Sequence, residues 1–130
     1  MKAWDTNLLI RHLTEDDPAQ LRTVREELEK AWRAGQPVWL SDIVMVESAW
    51  VLQGYGLSKR ETLDALDAVV GDSRFQTEGG RETREAIERA RVKGDLAEHL
   101  ISLAAKRAGA RKTQTFDKDV ARFPEFEVLK

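Results

Sequence analysis

The chain has 130 residues, 42% of them apolar and 34% charged, with a net charge of −2 and an isoelectric point near 5.8. That suffices for one domain with its own core. It excludes a disordered chain and a protein that binds nucleic acid through bulk positive charge. No cysteine is present, which excludes disulfides and thiolate metal sites. No apolar run reaches the roughly 18 residues of a membrane span, and the opening residues lack a signal-peptide pattern, so the cytoplasm is the expected location.

In chain order, Lys2-Ala3-Trp4 reads as a short strand running into Asp5, and Thr6 to Leu13 as a short helix. Asp16-Asp17-Pro18 is a turn that opens a second helix with Pro at its first position. Its Leu21, Val24, Leu28, Ala31 and Trp32 draw one apolar stripe, and Gly35 stops it. Val38-Trp39-Leu40 is a buried strand candidate. Ser41-Asp42 caps a helix from Ile43 to about Gln53, with Ile43, Val46, Trp50 and Val51 on one side and Glu47 in that neighbourhood. Ser58 and Glu61 form a capping box for a helix carrying Leu63, Leu66, Val69 and Val70.

Beyond the Gly71-Asp72-Ser73 turn, Arg74 to Thr77 is a thin strand candidate. Residues 81 to 92 form a charged helix with Ala86, Ile87, Ala90 and Arg91 inward. Asp95 to Glu98 opens another helix that closes at Gly109. Lys112 to Phe116 is a strand ended by Asp117, and Phe126 to Leu129 is a last strand. Short strands alternating with helices predict an α/β sandwich with a mostly parallel sheet.

The chemistry lies in carboxylates at element ends. In a parallel sheet the C-terminal strand ends share one edge, where ligand crevices form, so Asp5 and Asp117 are expected there. Asp95 and Glu98, three apart, share a helix face, and Glu47 sits among apolar neighbours. Each has a plain alternative: Asp5 and Asp117 as helix caps, Asp95 with Glu98 as a capping box, Glu47 as a snorkelling surface acid. Taken jointly they are hard oxygen ligands of the kind that hold Mg²⁺ or Mn²⁺. His12 and His99 form no zinc set and are expected at the surface or an edge. Trp4, Trp32, Trp39 and Trp50 are expected in the core.

Asp5-Thr6-Asn7-Leu8-Leu9 resembles the opening motif of PIN-domain proteins, and Ser41 to Glu47 resembles their second. Gly94 to Ile101 and Thr115-Phe116-Asp117-Lys118-Asp119 resemble the third and fourth. Order, spacing and length are similar to VapC toxins of type II toxin–antitoxin systems. The resemblance implies a single-domain PIN-like fold over residues 1–130. It further implies a Mg²⁺- or Mn²⁺-dependent ribonuclease, neutralised by a VapB-type antitoxin and forming a homodimer. It makes Asp5, Glu47 and Asp117 metal-binding catalytic acids. The third acid departs from the family's Asp: the position is Glu98, with Asp95 one turn earlier as an alternative or additional ligand, and Asp119 a possible outer one.

On that reading Thr6, Asn7, Ser41 and Thr115 are candidates to aim the carboxylates, and Arg11, Lys59, Arg60 and Arg111 to steer phosphate. The alternatives are a non-catalytic PIN-like module that binds RNA or protein, and a response-regulator receiver domain. A receiver fits poorly, because the strand Val38–Leu40 is followed by a helix cap at Ser41-Asp42.

Overall fold

Six helices and four short strands form the α/β architecture expected from the alternating pattern, in a computed structural model that describes residues 1–130. The chain falls into two compact units, Met1–Gly80 and Arg81–Lys130.

In the first unit the order is α1 (Thr6–Thr14), α2 (Pro18–Arg33), β1 (Val38–Leu40), α3 (Asp42–Gly54), α4 (Lys59–Val70) and β2 (Phe75–Thr77). Strands β1 and β2 pair in parallel, Val38 opposite Phe75 and Leu40 opposite Thr77. A parallel pair needs a long crossover, and α3 and α4 supply it. The expected first strand is reduced to one parallel bridge between Ala3 and Trp39. It is held by Trp4 N–H donating to the Trp39 carbonyl at 3.1 Å and Trp39 N–H to the Lys2 carbonyl at 2.9 Å. That contact suffices to fix Asp5 just beyond the edge of β1.

Local caps set the helix starts. Asp17 accepts from Gln20 N–H with Pro18 next in line, Ser41 accepts from Val44 N–H, and Ser58 with Glu61 completes the capping box. The core of this unit collects Leu9, Leu28, Leu40, Met45, Leu52 and Leu66, all essentially solvent-free.

Two expectations are corrected here. Helix α3 buries Val44, Met45, Ser48, Ala49 and Leu52, so the face carrying Ile43 and Trp50 points outward, these being 70% and 61% exposed. The helix is apolar almost all round, so periodicity alone could not choose its inner face. Of the four tryptophans only Trp4 is buried; Trp39 is half-buried, and Trp32 and Trp50 are exposed. On α2 the stripe is therefore Leu21, Val24 and Leu28.

The second unit runs α5 (Arg81–Val92), α6 (Leu96–Arg107), β3 (Thr113–Thr115), a 3₁₀ turn (Lys118–Val120) and β4 (Phe126–Val128). Strands β3 and β4 are parallel, Thr113 opposite Phe126 and Thr115 opposite Val128. The expected sheet is thus assembled as two parallel pairs, one in each unit. Helix α5 packs Thr83, Ala86, Ile87 and Ala90 inward, with Arg91 outside that face. Ala86 and Ala90 keep that face low, and α5 packs on α6.

His99, expected at the surface, is fully buried. Its Nε2 lies 2.8 Å from the Lys93 carbonyl, and its ring meets Phe123 and Phe126 edge-on at 4.7 and 5.8 Å. Gly94 makes room for it. At φ +86° a Cβ there would stand 2.8 Å from Val120 Cγ1 and 3.0 Å from His99 Nε2, so both the backbone and the space demand glycine. His12 is the half-buried one, packed on Trp4 and Phe75, and burial and the nearby Arg74 hold it below the usual imidazole range.

Candidate functional site

In the first unit the candidate acids meet through the start of α1. Asp5 is the N-cap: extended backbone (φ −86°, ψ 178°) aims its Oδ1 at Leu8 N–H, 3.2 Å away. The plain capping role is therefore real, and it also fixes the carboxylate in direction. Thr6, the first residue of the helix, reaches across to α3 and donates from Oγ1 to Glu47 Oε1 at 3.0 Å. Glu47 is exposed on the outward stripe of α3, between Ile43 and Trp50. One hydroxyl thus ties the residue beside Asp5 to the second acid, bringing together the first two motifs from 41 positions apart.

Asp5, without Glu47, borders a groove of about 580 Å³ lined also by Asn7, Leu8, Arg11, Gln20 and Glu27, among others. Arg11 is engaged there, its guanidinium on Gln20 Oε1 at 2.6 Å and Asp16 Oδ1 at 3.3 Å. Ser41 spends its hydroxyl on the α3 cap.

In the second unit the acids are in direct contact. Asp117 follows β3 and caps the 3₁₀ turn, Oδ1 accepting from Asp119 N–H at 2.8 Å. Thr115 Oγ1 accepts from Asp117 N–H at 3.0 Å and so fixes that backbone. Glu98, in the first turn of α6, is half-buried and shares a hydrogen bond with Asp117. Its Oε2 is buried with no donor reaching it.

Burial, that hydrogen bond, and the charges of Asp117, Asp95 and Asp119 push the Glu98 carboxyl up to about 7. Asp117 is held below its usual range by the Glu98 hydrogen bond and the Asp119 N–H. Below about pH 7 the shared hydrogen bond runs from a protonated Glu98 to an ionised Asp117, since two charged carboxylates cannot share a hydrogen bond.

The capping-box expectation for Asp95 and Glu98 is corrected. Asp95 sits at the N-cap position of α6 but makes no side-chain cap bond, and Glu98 is turned toward Asp117 instead. Asp95 is exposed. Asp119 faces Lys93, Nζ 3.9 Å from Oδ1. Lys93 was not singled out from the sequence, although its place just before Gly94-Asp95 puts it next to the acids.

The donor set suits a hard cation: oxygen only, with an unsatisfied carboxylate oxygen at Glu98 and a proton standing where a positive charge would relieve crowding. No three His, Asp or Glu side chains of the chain stand together at metal-holding distance; each unit presents a pair of acids.

A model of the PIN domain matches residues 3–126. The match runs across both units and all four acid-bearing segments, and the chain belongs to the PIN domain family. Nuclease chemistry, typically with divalent metals, is the general activity of that family. No curated protein matched the chain. No helix is long and apolar enough to cross a membrane.

Proposed function

We propose that this protein is a metal-dependent endoribonuclease of the VapC toxin type, hydrolysing RNA phosphodiester bonds and silenced by a VapB-type antitoxin. The observation that carries the reading is the Glu98–Asp117 carboxyl pair: a contact that is unfavourable unless a proton or a cation sits on it. Asp5, Glu47, Glu98 and Asp117 would hold Mg²⁺ or Mn²⁺. Asp95 and Asp119 stand nearby in sequence as further oxygen donors. When bound, such an ion activates water and stabilises charge on the phosphoryl oxygens.

The chain's own residues do the positioning. The Asp5 carboxylate is aimed by its cap bond, Glu47 by the Thr6 hydroxyl, and Asp117 by Thr115 and the Asp119 N–H. Glu98 holds a proton at its carboxyl below about pH 7, and a bound cation would favour its release.

The partners follow from the same reading: RNA as substrate, an antitoxin, and a second copy of the chain. Exposed Ile43 and Trp50 on α3 support a protein partner, since large apolar side chains on one helix stripe are favourable to cover. Light scattering at high concentration is expected to give a dimer; a strict monomer removes that part of the reading. The activity itself is tested on a mixed structured RNA pool with Mg²⁺ or Mn²⁺ against EDTA. Cutting in metal, absent in EDTA and lost in Asp5→Asn, is the expected outcome. Metal-loaded wild type that binds RNA without cutting it would favour the non-catalytic binding module.

A further inference from the structure

Strand β3 alternates cleanly. Thr113, Thr115 and then Asp117 are half-buried, while Lys112, Gln114 and Phe116 point outward, as the two-residue period of a strand requires. Phe116 is 76% exposed, the most exposed of the large apolar side chains, and it immediately precedes Asp117. At the other end of the strand Lys112 borders a groove of about 430 Å³, lined also by Lys106, Gly109, Ala110, Arg111, Pro124 and Glu125. Residues 106 to 112 hold four cations and no acid.

The one carboxylate in that groove is already answered. Glu125 Oε1 receives Arg89 at 2.9 Å, and Lys106 adds to the field that keeps it ionised. Lys112 donates to the Pro124 carbonyl. Glu127, on the neighbouring strand, accepts from Gln114 Nε2 at 3.1 Å. From the groove to Phe116 is roughly 13 Å along the strand at its normal rise. The second unit carries twelve Lys and Arg against nine Asp and Glu, a balance of +3 within a chain of net −2.

We propose that the outward face of β3 is a track for single-stranded RNA, with Lys106 and Arg111 taking backbone phosphates and Phe116 stacking a base beside Asp117. The proposal rests on the nuclease reading for its substrate. Charge and an exposed ring select the occupant: cations answer phosphate, and an aromatic face accepts any base, a pairing typical of single-strand binders. A duplex would bury its bases and leave Phe116 with nothing to stack on. The track places recognition a few nucleotides to one side of the acids.

The test is fluorescence anisotropy of a labelled single-stranded RNA 12-mer with the full chain in EDTA, where binding is read without cleavage. Phe116→Ala is expected to weaken affinity about tenfold without changing its salt dependence, and Phe116→Trp to restore it. Lys106→Gln with Arg111→Gln is expected to flatten the log–log salt slope by about 1.4, two phosphate contacts' worth for a single strand. Matching thermal melts control for folding, which these exposed positions should not disturb.

The track is overturned if all variants bind like the parent, or if Phe116→Trp behaves like Phe116→Ala. It is also overturned if the losses appear only with polyglutamate, the sign of an acidic protein partner. The two readings fail separately. RNA that binds as described but is never cut in Mg²⁺ or Mn²⁺ leaves the track and removes the nuclease. RNA cut by every variant with the parent's KM leaves the nuclease and removes the track.

Discussion

The two units solve the same problem, presenting two carboxylates at the ends of short elements, in opposite ways. In the first unit the link is indirect: Thr6, next in sequence to Asp5, donates its hydroxyl to Glu47, and both acids are exposed. In the second the carboxyls of Glu98 and Asp117 touch, and Glu98 is half-buried. The surroundings differ in sign too, with nine Lys and Arg against fourteen Asp and Glu before residue 81, and the reverse excess after it. Exposed acids are solvated by water. Acids pressed together need a counter-charge. The second pair is therefore the one whose state a cation should change most.

The largest expected effect is on turnover. Asp5→Asn and Asp117→Asn, one from each pair, should each lower RNA cleavage on the order of 10³-fold with the fold intact. A variant that keeps near-normal rates would remove its pair from the chemistry. Thr6→Val comes next. It deletes the bridge to Glu47 without touching a carboxylate, and the loss should be about 10- to 100-fold. If Thr6→Ser fails to recover the activity, the hydroxyl is not what matters.

Stability effects separate the units in another way. Gly94→Ala forces a Cβ against Val120 and His99 at a positive φ and should cost about 2–3 kcal/mol, read by denaturant unfolding. A neutral result would mean that the buried His99 packing is softer than its contacts indicate.

The smallest effect is on pH dependence. Glu98 binds its proton more tightly folded, near 7, than it would unfolded, near 4.5. The folded state then holds more protons between those values, so this group's contribution is full below about 4.5 and is lost as pH rises toward and through 7. The metal-free protein should show a melting temperature that falls over that window, and Glu98→Gln should flatten the fall. An equally steep fall in Glu98→Gln would assign it to other groups.

Much of this was legible in the residues. Caps at Asp5, Ser41 and Ser58 depend on local chemistry, and each appears where its residue type and spacing put it. The strand at Val38 was readable as a short apolar run, and the thin strand at Phe75 from the turn residues on either side of it. What failed depended on packing. Helix α3 has apolar residues on nearly every face, so its pattern could not say that Ile43 and Trp50 would lie outside. His99 looked polar and peripheral because its partners, a main-chain carbonyl and two rings, come from outside its own helix. The choice between Asp95 and Glu98 was likewise not local. Both occupy the first turn of α6, and only the position of Asp117 shows which of them it meets.

The most direct test of the account is Mn²⁺ binding by calorimetry at pH 7.5, comparing wild type with Asp5→Asn and with Asp117→Asn. The expected result is that Asp5→Asn and Asp117→Asn each weaken Mn²⁺ binding at least tenfold, since each removes an acid proposed to bind metal. Full-affinity Mn²⁺ binding in either variant would contradict it.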